Sequence, residues 1–442
     1  MSLPEAARRA QQATREIITA MDSAPRGVVV DSPPGAGKST LVVRVAGELV
    51  GRGHRVMVIA QTNEQVDDLA GALARSLAHD GELRVGRLAA GTYATPERLA
   101  GLANLTAART IGELDRCQVV ASTAAKWATV KSDTPWPWAI VDEAYQMRSD
   151  LLLRVAGLFE KALFVGDPGQ LDPFSTVESD RWLGLSWDPT RSAVAVMLAH
   201  NDHVPVKQLP VSWRLPASAA PVVSAAFYPF SPFDAATTHA DRRLEWETTP
   251  FGKSPVDATL DLAASTGWAL HELPAGHKPR TDREAVAACA ALAARLLSRG
   301  AIATSERGVA PVTADRIAIG SAHRDQVAAI RAELARLGCD DVIADTSNRL
   351  QGREFDVTIV LHPLSGRRDA TAFHLEAGRL CVLTSRHRHA CIVVARRGIP
   401  ELLDAHPSAE PMHLNVPVKF PDGWEAHQSL MSHLSTHRIP AP

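Results

Sequence analysis

Cysteine is scarce in this 442-residue chain. The five present (Cys117, Cys289, Cys339, Cys381, Cys391) never form a C-x-x-C pair. That argues against a disulfide framework and a zinc ribbon and fits a reducing cytosol. Neither sign of charge dominates: 47 Lys+Arg against 49 Asp+Glu leave a net charge of −2. A globally basic nucleic-acid coat is excluded, so a polyanion must be held by local patches and oriented backbone amides. No run of about 18 apolar residues occurs, so no membrane span is expected. The opening MSLPEAARRAQQATREII is charged where a signal peptide needs its apolar core, and a cytoplasmic location is expected. Lysine is rare at 8 of the 47 basic residues, which makes a lysine inside a motif informative.

Against these absences stand a 45% hydrophobic and a 22% charged fraction, ordinary for a globular protein. At about 150 residues per domain, the length suits two or three domains. Residues 4–22 have helical spacing. Gly27-Val28-Val29-Val30 then reads as a buried strand breaking into a tight loop, followed by a helical stretch after Lys38 and a second apolar run, Val56–Ala60. This β-loop-α-β order predicts a parallel sheet covered by helices. Further apolar runs at 119–121, 138–141 and 162–165 continue it, while 78–116 shows no clear strand and reads as an insertion. Residues 229–265 read as long surface connections, and 281–299 as an amphipathic helix with a Thr-x-x-Glu opening. Strands return at 316–319, 341–344, 357–360 and 390–394, so the second half is again α/β. The stretch from about 403 has no clear period, and no role is read from it.

Ser32-Pro33-Pro34-Gly35-Ala36-Gly37-Lys38-Ser39 fits the P-loop pattern, with Ser32 in place of the first glycine. Small residues let successive N–H groups curl around a phosphate at a helix N-terminus. Pro34, Gly35, Ala36, Gly37, Lys38, Ser39 and Thr40 are the expected cradle. Lys38 reaches the β- and γ-phosphates and the Ser39 hydroxyl ligates Mg²⁺. The apolar strand ending in Asp142-Glu143 supplies the other half: Asp142 for the metal and Glu143 to accept a proton from the attacking water. The expected chemistry is nucleoside triphosphate hydrolysis, with ATP and Mg²⁺.

The remaining motifs resemble the superfamily 1 helicases, in particular the 5′-to-3′ branch (superfamily 1B) that contains the RNA-surveillance helicase. Ala60-Gln61-Thr62-Asn63-Glu64-Gln65-Val66-Asp67-Asp68-Leu69 is similar to motif Ia, and Ser122-Thr123 to motif Ic. Asp142-Glu143-Ala144-Tyr145-Gln146 resembles motif II. Val165-Gly166-Asp167-Pro168-Gly169-Gln170-Leu171-Asp172-Pro173 resembles motif III. Leu209–Pro216 with Phe227-Tyr228 is similar to the Y-R-M-H-P segment and its following F-Y. Residues 317–326 resemble motif IV, Thr346–Glu354 motif V and Arg379–Arg388 motif VI. Asn348 and His387 depart from the usual Asp and Ala.

The resemblance implies two tandem RecA-like α/β domains with the nucleotide between them. The expected boundaries are 1–205 and 206–402, with 403–442 as a tail. Arg214 and Arg386 are implied as arginine fingers and Gln170 as the γ-phosphate sensor. Gly352 and Glu354 are implied contacts to ribose and phosphates, and Gln12, ahead of Gln11, reads the adenine edge. Thr62, Asn63, Ser122, Thr123, His323 and Thr346 are candidates for the nucleic-acid backbone, although helix capping and loop roles explain several of them equally. The implied activity is an ATP-dependent helicase or translocase on single-stranded DNA or RNA. The alternative is a nucleic-acid-stimulated ATPase that remodels or switches within a larger protein complex without unwinding. A monomer is expected. The accessory β-barrel and Cys/His-rich domains of the surveillance helicase have no counterpart in these motifs.

Overall fold

The computed structural model describes residues 1–171, 173, 182, 191–246, 254–407 and 422–441. Helix α1 (Leu3–Ser23) leads into strand β1 (Gly27–Asp31), the P-loop and helix α2 (Lys38–Gly51). Next come β2 (Val56–Ala60), α3 (Asn63–Leu77), β3 (Val85–Leu88), β4 (Leu105–Ala108), β5 (Val119–Thr123), β6 (Trp136–Asp142) and β7 (Phe159–Gly166). With β8 (Val206–Gln208) these strands form one parallel sheet in the order β4-β3-β5-β2-β6-β7-β1-β8. The apolar β2, and β1, apolar up to its final Asp31, are buried along their whole length, as strands covered on both faces require. One core packs α1, α2 and α3 on one face, and a second core around Trp127, Met147 and Phe164 covers the other.

Beyond β8 lie a two-stranded sheet of β9 (Val211–Ser212) with β10 (Asp234–Ala235) and a small sheet of β11 (Arg243–Glu245), β13 (Ile302–Ser305) and β14 (Gly308–Pro311). The second large sheet is again parallel. It joins β12 (Trp268–Leu273), β15 (Ile317–Ser321), β16 (Ile343–Thr346), β17 (Phe355–Leu361), β18 (His387–Arg396) and β19 (Arg438–Pro440) in the order β16-β15-β17-β18-β12-β19. Two hydrophobic clusters cover its faces.

Five expectations need correction. Residues 78–116 are not an insertion: β3 and β4 inside them extend the first sheet to its edge. The division at 205/206 cuts ahead of β8, which pairs with β1 in the first sheet. The stretch 229–265 is not all connection: it holds most of a 12-residue helix, Pro255–Thr266, capped by Ser254 and closed by Gly267 in the left-handed conformation. The described residues 422–441 of the stretch after 403 are built into the second lobe. Helix Gly423–Ser435 buries Leu430, Met431 and Leu434 in its core, and β19 forms the sheet edge. The expected opening of the helix over 283–298 is also shifted, because Asp282, not Thr281, supplies the capping oxygen.

Candidate active site between the lobes

The loop after β1 turns through two glycines in the left-handed region, Gly35 (φ +72°) and Gly37 (φ +88°), and delivers Lys38 as the first residue of α2. Left-handed backbone is nearly free for glycine and costs other residues about 1–2 kcal/mol, so the path depends on these two positions. Ser32 is fully buried, and its N–H donates to the Gly166 carbonyl at 2.8 Å. A hydroxymethyl side chain is thus accommodated where the motif has glycine.

Beside the loop, β6 ends in Asp142 and Glu143. Lys38 Nζ donates to Glu143 Oε1 at 2.5 Å, and Gln146 Nε2 reaches Glu143 Oε2 at 3.4 Å. Glu143 has φ +51° and is the one described non-glycine residue at positive φ. That strain aims its carboxylate back at the lysine, a cost typical of functional positions. Burial opposes the charge on Lys38, but Glu143, Asp142 and Asp167 hold its pKa above the ordinary value. Burial, with the neighbouring Glu143, pushes Asp142 up to about 7 against the pull of Lys38. Asp142 Oδ1 is buried with no hydrogen-bond partner. An unpaired buried carboxylate oxygen beside the P-loop lysine suits a divalent cation that takes one or two protein ligands and completes its shell with phosphate and water. Among the described residues no cluster of three His, Cys, Asp or Glu offers a rival metal cage.

The segment carrying Arg214 lies directly on the P-loop. Trp213 N–H donates to the Gly35 carbonyl at 2.8 Å, and Ser212 Oγ donates to the Pro34 carbonyl at 2.6 Å. A Cβ placed on Gly35 would lie 2.2 Å from Arg214 Cβ. Arg214 Nε is 3.6 Å from Glu354 Oε2, and its guanidinium reaches the Gly352 carbonyl at 3.5 Å. Burial, with the charge of Arg386 nearby, lowers Arg214 to about 9. Arg386 is 1% exposed and is held by the Val382 carbonyl (3.1 Å) and Ser385 Oγ (2.8 Å). Its charge acts on both Arg214 and Asp167. Two guanidinium groups close together next to a phosphate loop are stable only when anions balance them.

Motif III crosses to the second lobe. Gln170 Nε2 donates to Asp167 Oδ2, and Gln351 Nε2 donates to Gln170 Oε1 at 2.9 Å. Gly378 lies so close to the Gln170 carbonyl that a Cβ there would approach it to 2.5 Å. Asp172 lies outside the described residues. Gln12, on an exposed face of α1, donates to Glu16 at 2.9 Å and lines a cavity of about 640 Å³ between α1 and β8 with Arg9, Lys207 and Phe230. The structure thus brings Lys38, Asp142, Glu143, Gln170, Arg214, Arg386, Gly352 and Glu354 together, with Ser39 following Lys38 at the start of α2 and Gln12 in the cavity between α1 and β8.

The strand-binding candidates divide. Ser122 is fully buried and donates to the Leu88 carbonyl at 2.6 Å, so it is no surface contact, contrary to expectation. Thr62 caps α3 in a reciprocal box with Gln65, and Thr123 caps the short helix Ala124–Trp127. Asn63 is exposed, and its side-chain oxygen accepts from the buried Arg87 at 2.9 Å. Arg87 also binds Asp67 at 2.7 Å, which gives the acidic residue of that segment a structural partner. His323 and Thr346 are half-buried at the C-terminal ends of β15 and β16, with His323 Nε2 2.7 Å from Arg367. Sequence reasoning missed Arg242 and Glu306, which lie beside Arg214 in space but 28 and 92 positions away in sequence. Their only prior signal is charge in otherwise unassigned connections.

Two family models, both described as an AAA domain, match residues 8–185 and 191–398. No curated protein matches the sequence significantly. Among solved structures, the chain is similar to the PRRSV helicase (14% identity, TM-score 0.42, 89% of this chain and 56% of that one). It is also similar to arterivirus nonstructural protein 10 (helicase) in complex with DNA (13%, 0.40, 86% and 62%). The same arterivirus protein in another crystal structure gives 15% identity and a TM-score of 0.42, with 86% and 61% covered. The chain therefore spans about 56–62% of the length of these viral helicases. With AAA-domain matches over both lobes and a P-loop on the first parallel sheet, the chain belongs to the AAA-domain family of P-loop proteins.

Proposed function

We propose that the chain is an ATP-driven motor on single-stranded nucleic acid. Lys38, Glu143 and Asp142 in the first lobe and Arg214 and Arg386 in the second would act on one triphosphate. The observation that carries this reading is the seating of Arg214 on the P-loop glycine, with Gln170 and Gln351 joined across the same cleft.

The residues divide the work. N–H groups of Gly35 to Thr40 and the start of α2 bind the phosphates, and Lys38 neutralises their charge. Glu143 orients the attacking water and takes its proton, which requires Lys38 to turn from its carboxylate to the phosphate. Ser39 and Asp142 would hold Mg²⁺, which supplies charge neutralisation at the phosphate oxygens. Arg214 and Arg386 stabilise the charge that grows in the transition state. Gln170 registers the γ-phosphate and passes its presence through Asp167 and Gln351 to the second lobe. Closure with ATP and opening after hydrolysis would change the grip of Thr62, Asn63, His323 and Thr346 on the strand, one lobe at a time. Travel is proposed 5′ to 3′ on the motif resemblance.

Phosphate release measured with and without single-stranded DNA or RNA tests the proposal. Strand-stimulated turnover that disappears in Lys38→Ala and Glu143→Gln is expected, and robust turnover in both variants would overturn the site. Unwinding of duplexes with 5′ or 3′ tails then separates a helicase from an ATPase that only remodels.

A further inference from the structure

Arg242 enters none of the motifs, yet it is one of the most committed cations in the protein. It is 8% exposed, just before β11. Its five N–H donors meet five acceptors. Nε and NH2 take the two oxygens of Glu306 at 3.0 and 2.9 Å, and NH2 also takes the Trp213 carbonyl at 2.7 Å. NH1 takes the Arg214 carbonyl and, at 3.2 Å, the Arg388 carbonyl. Glu306, on the turn between β13 and β14, accepts in addition from Arg388 NH2 at 2.5 Å. Arg388 NH1 reaches Glu354 Oε1 at 3.4 Å, and Glu354 pairs with Arg214. The contacts close a ring: Arg242, Glu306, Arg388, Glu354, Arg214 and back to Arg242 through the Arg214 carbonyl. Burial opposes charge on Glu306, but Arg242 and Arg388 hold it down to about 2, so the carboxylate stays ionised.

We infer that Arg242 and Glu306 are positioning residues for the arginine finger Arg214. Arg242 grips the peptides on both sides of Arg214 and the carbonyl two residues after Arg386, and Glu306 fixes the plane of that grip. A planar five-donor fork is needed; an ammonium supplies three donors and no plane, so lysine cannot replace it. Displacing a charge-stabilising group by about 1 Å can cost about 100-fold in rate. This inference rests on the reading of Arg214 as a finger.

The test is steady-state ATP hydrolysis by Arg242→Lys, Glu306→Gln, Arg214→Ala and the double variant Arg242→Lys/Arg214→Ala. Binding of a non-hydrolysable ATP analogue and the thermal midpoint are measured on each. The expected result is kcat lowered about 10- to 100-fold in Arg242→Lys and Glu306→Gln, with KM and analogue affinity within about 3-fold of the parent. In the Arg214→Ala background, Arg242→Lys should add less than about 2-fold, because the group it positions is gone. Losses that multiply in the double variant, or parental kcat in Arg242→Lys and Glu306→Gln, overturn the positioning role while leaving the finger intact. Parental kcat in Arg214→Ala overturns the finger reading, and the inference with it.

Discussion

Tyr228 of the second lobe donates its phenol proton to Asp167 of the first at 2.6 Å. Asp167 is 2% exposed, and burial pushes it up to about 6 even though Lys38 and this hydrogen bond favour its ionised form. Its other oxygen accepts from Gln170, which accepts in turn from Gln351. One carboxylate at the end of β7 is therefore held from the second lobe twice, once directly and once through the glutamine.

Tyr228→Phe removes the direct link and leaves the ring in its edge-to-face contact with Phe233 at 5.2 Å. The expected cost is about 1–3 kcal/mol of stability, from leaving a buried carboxylate short of a donor. Basal ATPase should survive, while stimulation by single strands falls several-fold. Thermal unfolding and strand-stimulated phosphate release check the two halves of the prediction separately.

Gly35→Ala should abolish turnover, since the new Cβ would lie 2.2 Å from Arg214 Cβ at a φ of +72°. Gly53→Ala is the control: its φ is +82°, but nothing lies within 4 Å. It should cost about 1–2 kcal/mol of stability and leave kcat unchanged. Equal kcat in the two variants would show that the close approach of Arg214 to the loop does not matter.

The phosphate half of the site was legible because it is local: Lys38 and Ser39 follow a buried strand, and Asp142-Glu143 end another. The cleft was legible only through the motif resemblance, since no spacing rule brings Arg214 onto Gly35. Strand β4 escaped notice because Thr106 and Ala107 face solvent and Leu105 is only half-buried, which leaves no alternation to read. Strand β3 carries Gly86 and a buried Arg87, and the arginine is tolerated there because Asp67 and Asn63 satisfy it. At Ser122 the sequence could not tell a strand-end hydroxyl that points out from one that points in.

Histidine burial makes the second lobe acid-sensitive. Burial, reinforced by nearby positive charge, lowers His387 to about 3, and burial lowers His427 to about 3. The unfolded chain takes up these protons near pH 6.5 and the folded one does not, so stability is full above about 6.5 and falls as the pH drops below it. Asp142 and Asp167, pushed up to about 7 and about 6, act in the opposite direction over the same range, so a variant must isolate the histidine contribution. His387→Phe keeps a ring against Trp268, 5.1 Å away, and removes one proton site. Between pH 6.5 and 5 the parent should lose up to about 1.4 kcal/mol per pH unit relative to this variant. Parallel curves of unfolding midpoint against pH would refute it.

The central claim is that one triphosphate is shared by both lobes, and single-turnover phosphate release by Arg386→Gln at saturating ATP tests it most directly. The account predicts a rate about 10³-fold or more below the parent, with the nucleotide still bound and the protein still folded. Release at the parental rate would contradict it, because the second lobe's buried Arg386 would then contribute nothing to the chemistry.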